Sequence, residues 1–443
     1  MGKPNLSFWQ LWNMNFGFLG IQYSFGLQQT AVSPIYVMLG ADPDSLPILN
    51  LAGPMTGLLI QPLIGALSDR TWSPKYGRRK PYFLIGAIMC SLALLLFPFS
   101  SSLWMAAGLL WILDAGNNTA MEPYRAFVAD VLPLNQQRRG FMIQSCFTGF
   151  GITLANVCMY FLQKSKWLSG SSANGLPYWV YVAFFVGAFT SISTVLWAMF
   201  KTKENPPSDE ELAEMRAEKR HFFSPFIDIF SSIKEMPKSL WKLGLVYLFQ
   251  WYGLFCYWQF ASISVAKNIY NTTDLKSEAY ESAVSLTGLI NGIYNIVTFI
   301  VALFLMRILA KNRANKVHAL CLGLAAVGLS CFAFTTNTYL LFICIIGLGI
   351  AWASIMGVPY LMVIDDIPKN KYGIYMGIIN MMIVIPMLIQ TVTFGPIYKN
   401  LLGHNANFAV LFAGILLGFA GVLSWWLFRK KAGSNIEAEV TSN

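Results

Sequence analysis

Three ionisable residues, Asp114, Glu122 and Arg125, fall inside the largely apolar run from Trp111 to Asp130. On insertion scales each such group costs roughly 2.5–3.5 kcal/mol at the centre of a membrane helix. A chain keeps that penalty where a substrate or an ion has to be met. At about 100° per residue, Asp114 and Arg125 differ by only about 20° around a helix axis. Asn118 and Glu122 fall in the same stripe, with Asn117 beside it. A rise of about 1.5 Å per residue holds Asp114 and Arg125 roughly 16 Å apart, too far for direct neutralisation. Glu122 and Arg125, three apart, are placed to pair. Asp114 is left without a local counter-ion, a carboxyl suited to taking up and releasing a proton. Pro123 removes one backbone hydrogen bond between the two charged zones and predicts a kink. A packing role, in which the three charges form a buried structural network, competes with this reading.

The elements that position these residues follow from composition. Of 443 residues, 56% are apolar and 12% charged, about half the charged share of a soluble protein. Cys90, Cys146, Cys158, Cys256, Cys321, Cys331 and Cys344 lie in apolar runs and read as small hydrophobes. The three His and seven Cys show no metal-ligand spacing, and no cofactor is expected. There is no phosphate loop, nucleophile elbow or metal-spaced His pair, so an enzyme is not expected. The N-terminal stretch lacks a short apolar core with a cleavage site and reads as a retained first span.

Apolar runs of about 20 residues predict twelve transmembrane helices, near 9–38, 48–68, 82–100, 103–128, 141–163, 178–200, 241–266, 283–309, 317–335, 339–364, 374–397 and 406–428. With the N-terminus in the cytoplasm, the inside segments hold 25 of the 31 basic residues. The outside loops then hold Lys164, Lys166, Lys267, Lys276 and Lys399, and Arg125 is the remaining one. This asymmetry predicts a multi-pass protein of the cell membrane with both termini cytoplasmic. The net charge of +10 is therefore a topology signal and no nucleic-acid partner is expected. The expected layout is an all-α membrane protein: a six-helix bundle over 1–200, a cytoplasmic linker over 201–240, a second bundle over 241–428 and a tail over 429–443.

The halves echo each other. Pro123-Tyr124 with Asp130 matches Pro359-Tyr360 with Asp366 at a shift of 236. Parallel repeats of this kind place a substrate site between bundles near the midplane. Under the same shift Asp114, Glu122 and Arg125 correspond to Ile350, Val358 and Leu361. The second half thus builds that helix position without charge, which favours a functional role in the first.

Gly65-Ala-Leu-Ser-Asp69-Arg70 followed by Tyr76-Gly77-Arg78-Arg79-Lys80-Pro81 resembles the loop between helices two and three of major facilitator proteins. Its Gly-Arg-Arg-basic-Pro form is similar to that of sucrose transporters and the glycoside–pentoside–hexuronide group of sugar:cation symporters, here in a bacterial-type member. Gly20-Ile21-Gln22 with Leu27-Gln28 looks like that family's first helix, and Asp114, Asn117-Asn118, Pro123, Arg125-Ala126 and Ala129-Asp130 its fourth. The resemblance covers the first three-eighths of the chain well; the second half matches in architecture. It implies proton-coupled uptake of a glucoside disaccharide such as sucrose or maltose, with the proton on Asp114 and Arg125 engaging the sugar. Glu122 departs from the small residue of plant members; it is expected to take part in proton coupling with Asp114 and to hold Arg125 when the site is empty. The span 48–68 contains no Asp or Glu, so the paired acids of the sodium-using branch are missing and proton coupling is favoured.

A sugar presents hydroxyls at its edges and C–H faces above and below, suited by amides and aromatic rings respectively. Asn117 and Asn118 rank first for their place beside Asp114; further candidates are Gln22, Tyr23, Gln28 and Gln29; Gln250, Trp251, Tyr257, Trp258 and Gln259; Asn291, Tyr294 and Asn295; and Asn380 and Gln390. The same residue types also tie helices together or sit at membrane interfaces. Asp69, Arg70, Arg78, Arg79, Asp130 and Asp366 form the expected cytoplasmic gate between outward and inward states, or simply a positive-inside anchor. The expected partners are a sugar, a proton and the bilayer, with a monomer sufficient for the pathway. Two rivals share features: a proton-coupled exporter of drug-like molecules, and a membrane sugar receptor that binds without transporting.

Overall fold

Apolar runs that enter a bilayer must satisfy their backbone internally, and here they do so as helices. The computed structural model describes residues 4–429 apart from 205, 208–209, 211, 214–226, 228–231, 309–312, 364–365 and 368–371. Twelve long helices follow one another: α1 (Phe8–Met38), α2 (Ala52–Arg70), α3 (Lys80–Leu96), α4 (Leu103–Val131), α5 (Leu134–Gln163) and α6 (Tyr178–Lys201), then α7 (Lys238–Ile269), α8 (Glu278–Ile308), α9 (Ala314–Phe334), α10 (Thr338–Ile355), α11 (Tyr372–Asn400) and α12 (Ala406–Leu427). No β-strand occurs among the described residues. Local sequence sets several starts. Ser7 and Gln10 form a capping box at α1, Ser102 caps α4, and Asn337 and Asn405 cap α10 and α12. Most of the expected linker, and the tail beyond Arg429, lie outside the described residues.

Among the described residues, nine helical stretches are long and apolar enough to cross a membrane by composition alone. The other three are α1, α4 and α7, which are no shorter, at 31, 29 and 32 residues. They are more polar because they carry the amides, hydroxyls and charges of the protein's centre.

Helices α1–α6 pack on one another, as do α7–α12. The two groups meet mainly through α5 against α8 and α2 against α11, contacts that exchange when the halves exchange. Both halves use glycine to bring equivalent helices close. A Cβ on Gly86 would lie 2.5 Å from the Gly116 carbonyl oxygen where α3 crosses α4. One on Gly328 would lie 2.3 Å from the Cys344 oxygen where α9 crosses α10. Small residues at such crossings let backbones approach where lipid offers no hydrophobic drive.

The repeat is broken at one place. The span expected over 339–364 ends at Ile355, and a short helix, Val358–Val363, follows Met356 and Gly357. In the first half α4 runs unbroken through Pro123. The residue equivalent to Gly357 there is Met121, a good helix former, whereas glycine followed by Val358-Pro359 lacks both propensity and a donor.

Candidate functional site

Asp114 is 1% exposed, and both its oxygens are occupied by neutral donors. Gln28 Nε2 of α1 donates to Oδ1 at 2.7 Å, and Thr56 Oγ1 of α2 donates to Oδ2 at 2.7 Å. No cation pairs with it among the described residues. Gly53 of α2 lies beside the carboxyl; a Cβ there would lie 3.5 Å from Asp114 Oδ2, in ordinary contact.

A carboxylate only accepts, and this fixes the sense of every bond behind it. Gln28 spends its amide N–H on Asp114, so its Oε1 accepts from Asn117 Nδ2 at 3.1 Å. Asn117 Oδ1 accepts in turn from the Cys90 thiol at 3.2 Å. On the other side Thr56 Oγ1 accepts from Asn118 Nδ2 at 3.0 Å, and Asn118 Oδ1 accepts from Gln61 Nε2 at 2.6 Å. Gln61 Oε1 accepts from Asn380 Nδ2 of α11 at 3.1 Å. Two donor chains therefore converge on one carboxyl, and one of them starts in the second bundle. Such chains polarise one another and strengthen cooperatively.

Glu122 and Arg125 lie on the same side of α4, with Arg125 Nη1 3.7 Å from Glu122 Oε2. Their side chains are 38% and 52% exposed, unlike Asp114. The hydrogen bonds between bundles explain the gradient. Among the described residues they join Gln163 to Ser282, Trp179 to Glu281, Thr30 to Asn291 and Gln61 to Asn380. All lie at the middle of the bundle or toward the end opposite the basic loops. These bonds tie the bundles together at mid-depth and toward that opposite end, and Glu122 and Arg125, nearer the basic end, are partly exposed.

The second bundle contributes aromatic rings and spare donors. Trp352 of α10 meets Trp251 and Trp258 of α7 edge to face, with centroids 5.8 and 5.5 Å apart. Gln250 Oε1 lies 3.1 Å from His318 Nε2, whose Nδ1 lies 2.8 Å from Ser354 Oγ. Gln250 Nε2 and Trp251 Nε1 are buried without a partner. Tyr257 donates to Asn291 Oδ1 at 3.0 Å, while Asn295 spends its amide on the Asn291 carbonyl one turn back.

Not every polar residue singled out by type joins the Asp114 network. Gln28, Asn117, Asn118 and Asn380 do. Among the described residues Gln22 reaches the Met121 sulfur at 3.5 Å, and Tyr23 packs in the apolar core with its hydroxyl toward Cys158. Gln259 and Gln390 bond each other at 3.0 Å within the second bundle. These positions were matched by residue type, but the direction a helix face points is set by its neighbours.

At the basic end Arg79 is 4% exposed; its Nε meets Asp130 Oδ2 at 2.7 Å and its Nη1 meets Ser68 Oγ at 2.6 Å. Arg78 Nε donates to the Ser68 carbonyl at 3.4 Å. The side chains of Asp69 and Arg70 lie outside the described residues, and Asp366 is exposed. An unexpected member is Glu204, just past α6. Its carboxylate accepts from the backbone N–H groups of Arg78, Arg79 and Lys80, at 2.7 to 3.2 Å. That is an anion seated on the N-terminus of α3, where orphan donors and the helix dipole favour it. Gly77, at φ +82°, makes room: a Cβ would lie 2.4 Å from Glu204 Oε1.

Thr56, Gln61, Cys90 and Trp352 also entered the site unannounced. α2 carries no acid in its span, and nothing local marks a threonine or a glutamine there as more than a polar helix contact. No group of three or more His, Cys, Asp or Glu is placed to hold a metal among the described residues.

This arrangement, two six-helix halves enclosing a polar centre, is that of a multi-pass membrane transporter, not an enzyme. The chain belongs to the Major Facilitator Superfamily, whose pattern matches residues 14–391. Among curated relatives, "Sucrose transport protein SUC4" of Arabidopsis thaliana is 25% identical, covering 91% of this chain and 86% of the relative. "Sucrose transport protein SUT2" of Oryza sativa subsp. indica is 26% identical over 90% of this chain and 89% of its own. Similar solved structures include the nucleoside transporter NupG, with a TM-score of 0.68, 14% identity and coverage of 95% of this chain and 98% of that one. The xylose transporter XylE from E. coli has a TM-score of 0.66, 14% identity and coverage of 95% and 100%.

Proposed function

We propose that this protein imports a glucoside disaccharide of the sucrose or maltose type together with a proton, by alternating access of its two bundles. Asp114 carries the reading: a fully buried carboxyl held by neutral donors alone. A packing charge is normally retained with an opposite charge, because breaking or omitting one partner leaves an expensive buried ion. A carboxyl that must alternate between charged and neutral forms is better served by donors that tolerate both. The sucrose-transport relatives support the substrate class.

In this scheme Asp114 takes the proton. Arg125, held by Glu122 at 3.7 Å while the site is empty, turns to the sugar hydroxyls. Asn117 and Asn118 stand beside the acid, and Trp251 offers an aromatic face and a free N–H from the other bundle. Residues 1–200 and 241–428 rock about the site, with 201–240 as connector. The basic end and both termini face the cytoplasmic side of the cell membrane. One chain forms the whole pathway. Arg79, Asp130 and Glu204 brace the cytoplasmic end of the first bundle as it moves.

Sugar-dependent proton movement in proteoliposomes tests this, screening sucrose, maltose, trehalose and lactose with Asp114→Asn as control. Alkalinisation outside with one sugar, absent in the variant, supports symport and narrows the substrate. Binding without proton flux points to a receptor. Proton antiport with amphipathic compounds, and no sugar binding, points to an exporter.

A further inference from the structure

Both donors on Asp114 serve its charged form, and a proton arriving there needs an acceptor. Gln28 has none to offer without flipping its amide, because it turns Nε2 to Asp114 and Oε1 to Asn117. Thr56 is different. Its hydroxyl proton has two acceptors within reach, Asp114 Oδ2 at 2.7 Å and the Gly53 carbonyl of its own helix at 3.3 Å. Its oxygen has two lone pairs, one of which accepts from Asn118 Nδ2 at 3.0 Å.

We infer that Thr56 is a positioning residue for proton coupling: its hydroxyl turns from Asp114 to the Gly53 carbonyl when Asp114 is protonated, and then accepts the new carboxyl proton. The turn is a rotation about one side-chain bond. Before it, Thr56 donates to Oδ2 and accepts from Asn118. After it, Thr56 donates to Gly53 O and accepts from both Asn118 and Asp114. No buried donor is orphaned in either state, and an orphan there would carry its full desolvation cost. The inference rests on Asp114 being the proton site.

Among the described residues no other side chain near Asp114 offers the same exchange. From α1 come Gln28 and Tyr36, from α3 Cys90, from α4 itself Asn117 and Asn118, and from α2 Gly53 and Thr56. Tyr36 and Cys90 are the titratable members. Tyr36 directs its hydroxyl to the Leu49 carbonyl, and the Cys90 thiol points at the Leu113 carbonyl and Asn117.

Thr56→Val keeps the shape and removes the hydroxyl; Thr56→Ser keeps the hydroxyl. The readout is the pH profile of sugar-driven proton uptake in proteoliposomes, with folding followed by sugar binding. The valine variant loses a donor to a charged acceptor but only a neutral bond in the protonated form. Its alkaline limb should therefore move up by about one pH unit, and the serine variant should restore the wild-type profile. Thr56→Ala reports the same loss if valine is not accommodated. Wild-type profiles in every hydroxyl-free variant overturn the inference, as does an equal shift in serine and valine, which would mark a packing role. Absence of sugar-driven proton movement in the wild type overturns the proton reading itself. Proton movement that is lost in Asp114→Asn but unaffected in the Thr56 variants overturns this inference alone.

Discussion

Replacing Asp114 with asparagine separates folding from coupling. The wild-type carboxyl accepts two bonds at 2.7 Å, from Gln28 and Thr56. Asparagine can accept from Gln28 through Oδ1 and donate through Nδ2 to Thr56, whose hydroxyl then turns to Gly53, 3.3 Å away. Two charge-assisted bonds of about 1.5–3 kcal/mol become neutral ones of about 0.5–1.5 kcal/mol. Removing a buried charge returns several kcal/mol of desolvation, so the variant should fold and melt no lower than wild type. Transport should change in kind. For one proton per sugar, a gradient of one pH unit with 100 mV supplies about 3.7 kcal/mol, or roughly 500-fold accumulation. The asparagine variant has no proton to move and should reach a ratio near one, while still exchanging labelled for unlabelled sugar. The assay is accumulation of labelled sugar in proteoliposomes under an imposed gradient, with counterflow as the control for a working carrier. Wild-type accumulation by Asp114→Asn would refute the reasoning.

Three further outcomes follow from the same geometry. Arg125→Lys should weaken sugar binding roughly three- to tenfold, since a point charge replaces a planar fork able to bridge two hydroxyls; unchanged affinity in calorimetry would assign Arg125 to packing. Gln61→Leu leaves Asn118 Oδ1 without its donor at 2.6 Å, a loss of about 1–3 kcal/mol at a buried acceptor. It should lower the melting temperature more than Asn380→Leu, which removes only the outer bond; equal melting would sink the donor-chain account. Gly86→Ala places a Cβ 2.5 Å from the Gly116 carbonyl, whereas at Gly149 nothing lies within 4 Å. The first should cost about 1–3 kcal/mol by overpacking and the second little, as thermal unfolding in detergent will register.

The sequence by itself determined the helices, the membrane and the odd acid. Long apolar runs have only one way to satisfy their backbone in lipid, so most of their ends emerge within a few residues from hydropathy and caps, although α5 starts seven residues before the expected 141 and α8 five before 283. The exception, the break after Ile355, depended on a glycine beside Val358-Pro359 that a hydropathy average does not register. Eleven-residue spacing was enough to align Asp114 with Arg125, and three-residue spacing enough to pair Glu122 with Arg125, because both relations lie within one helix. Which residues meet Asp114 from other helices was a tertiary matter. Gln28 and Asn380 had plausible chemistry but no more than Gln22 or Gln390; the rotation of α1 and α11 against their neighbours selected them. Thr56 and Gln61 had no distinguishing signal, since polar side chains in a span are equally suited to bonding their own helix. Only packing of α2 onto α4 turned a threonine and a glutamine into the link between a buried acid and the opposite bundle. Periodicity reports what one helix does to itself, whereas a site shared by five helices exists only once their faces are brought together.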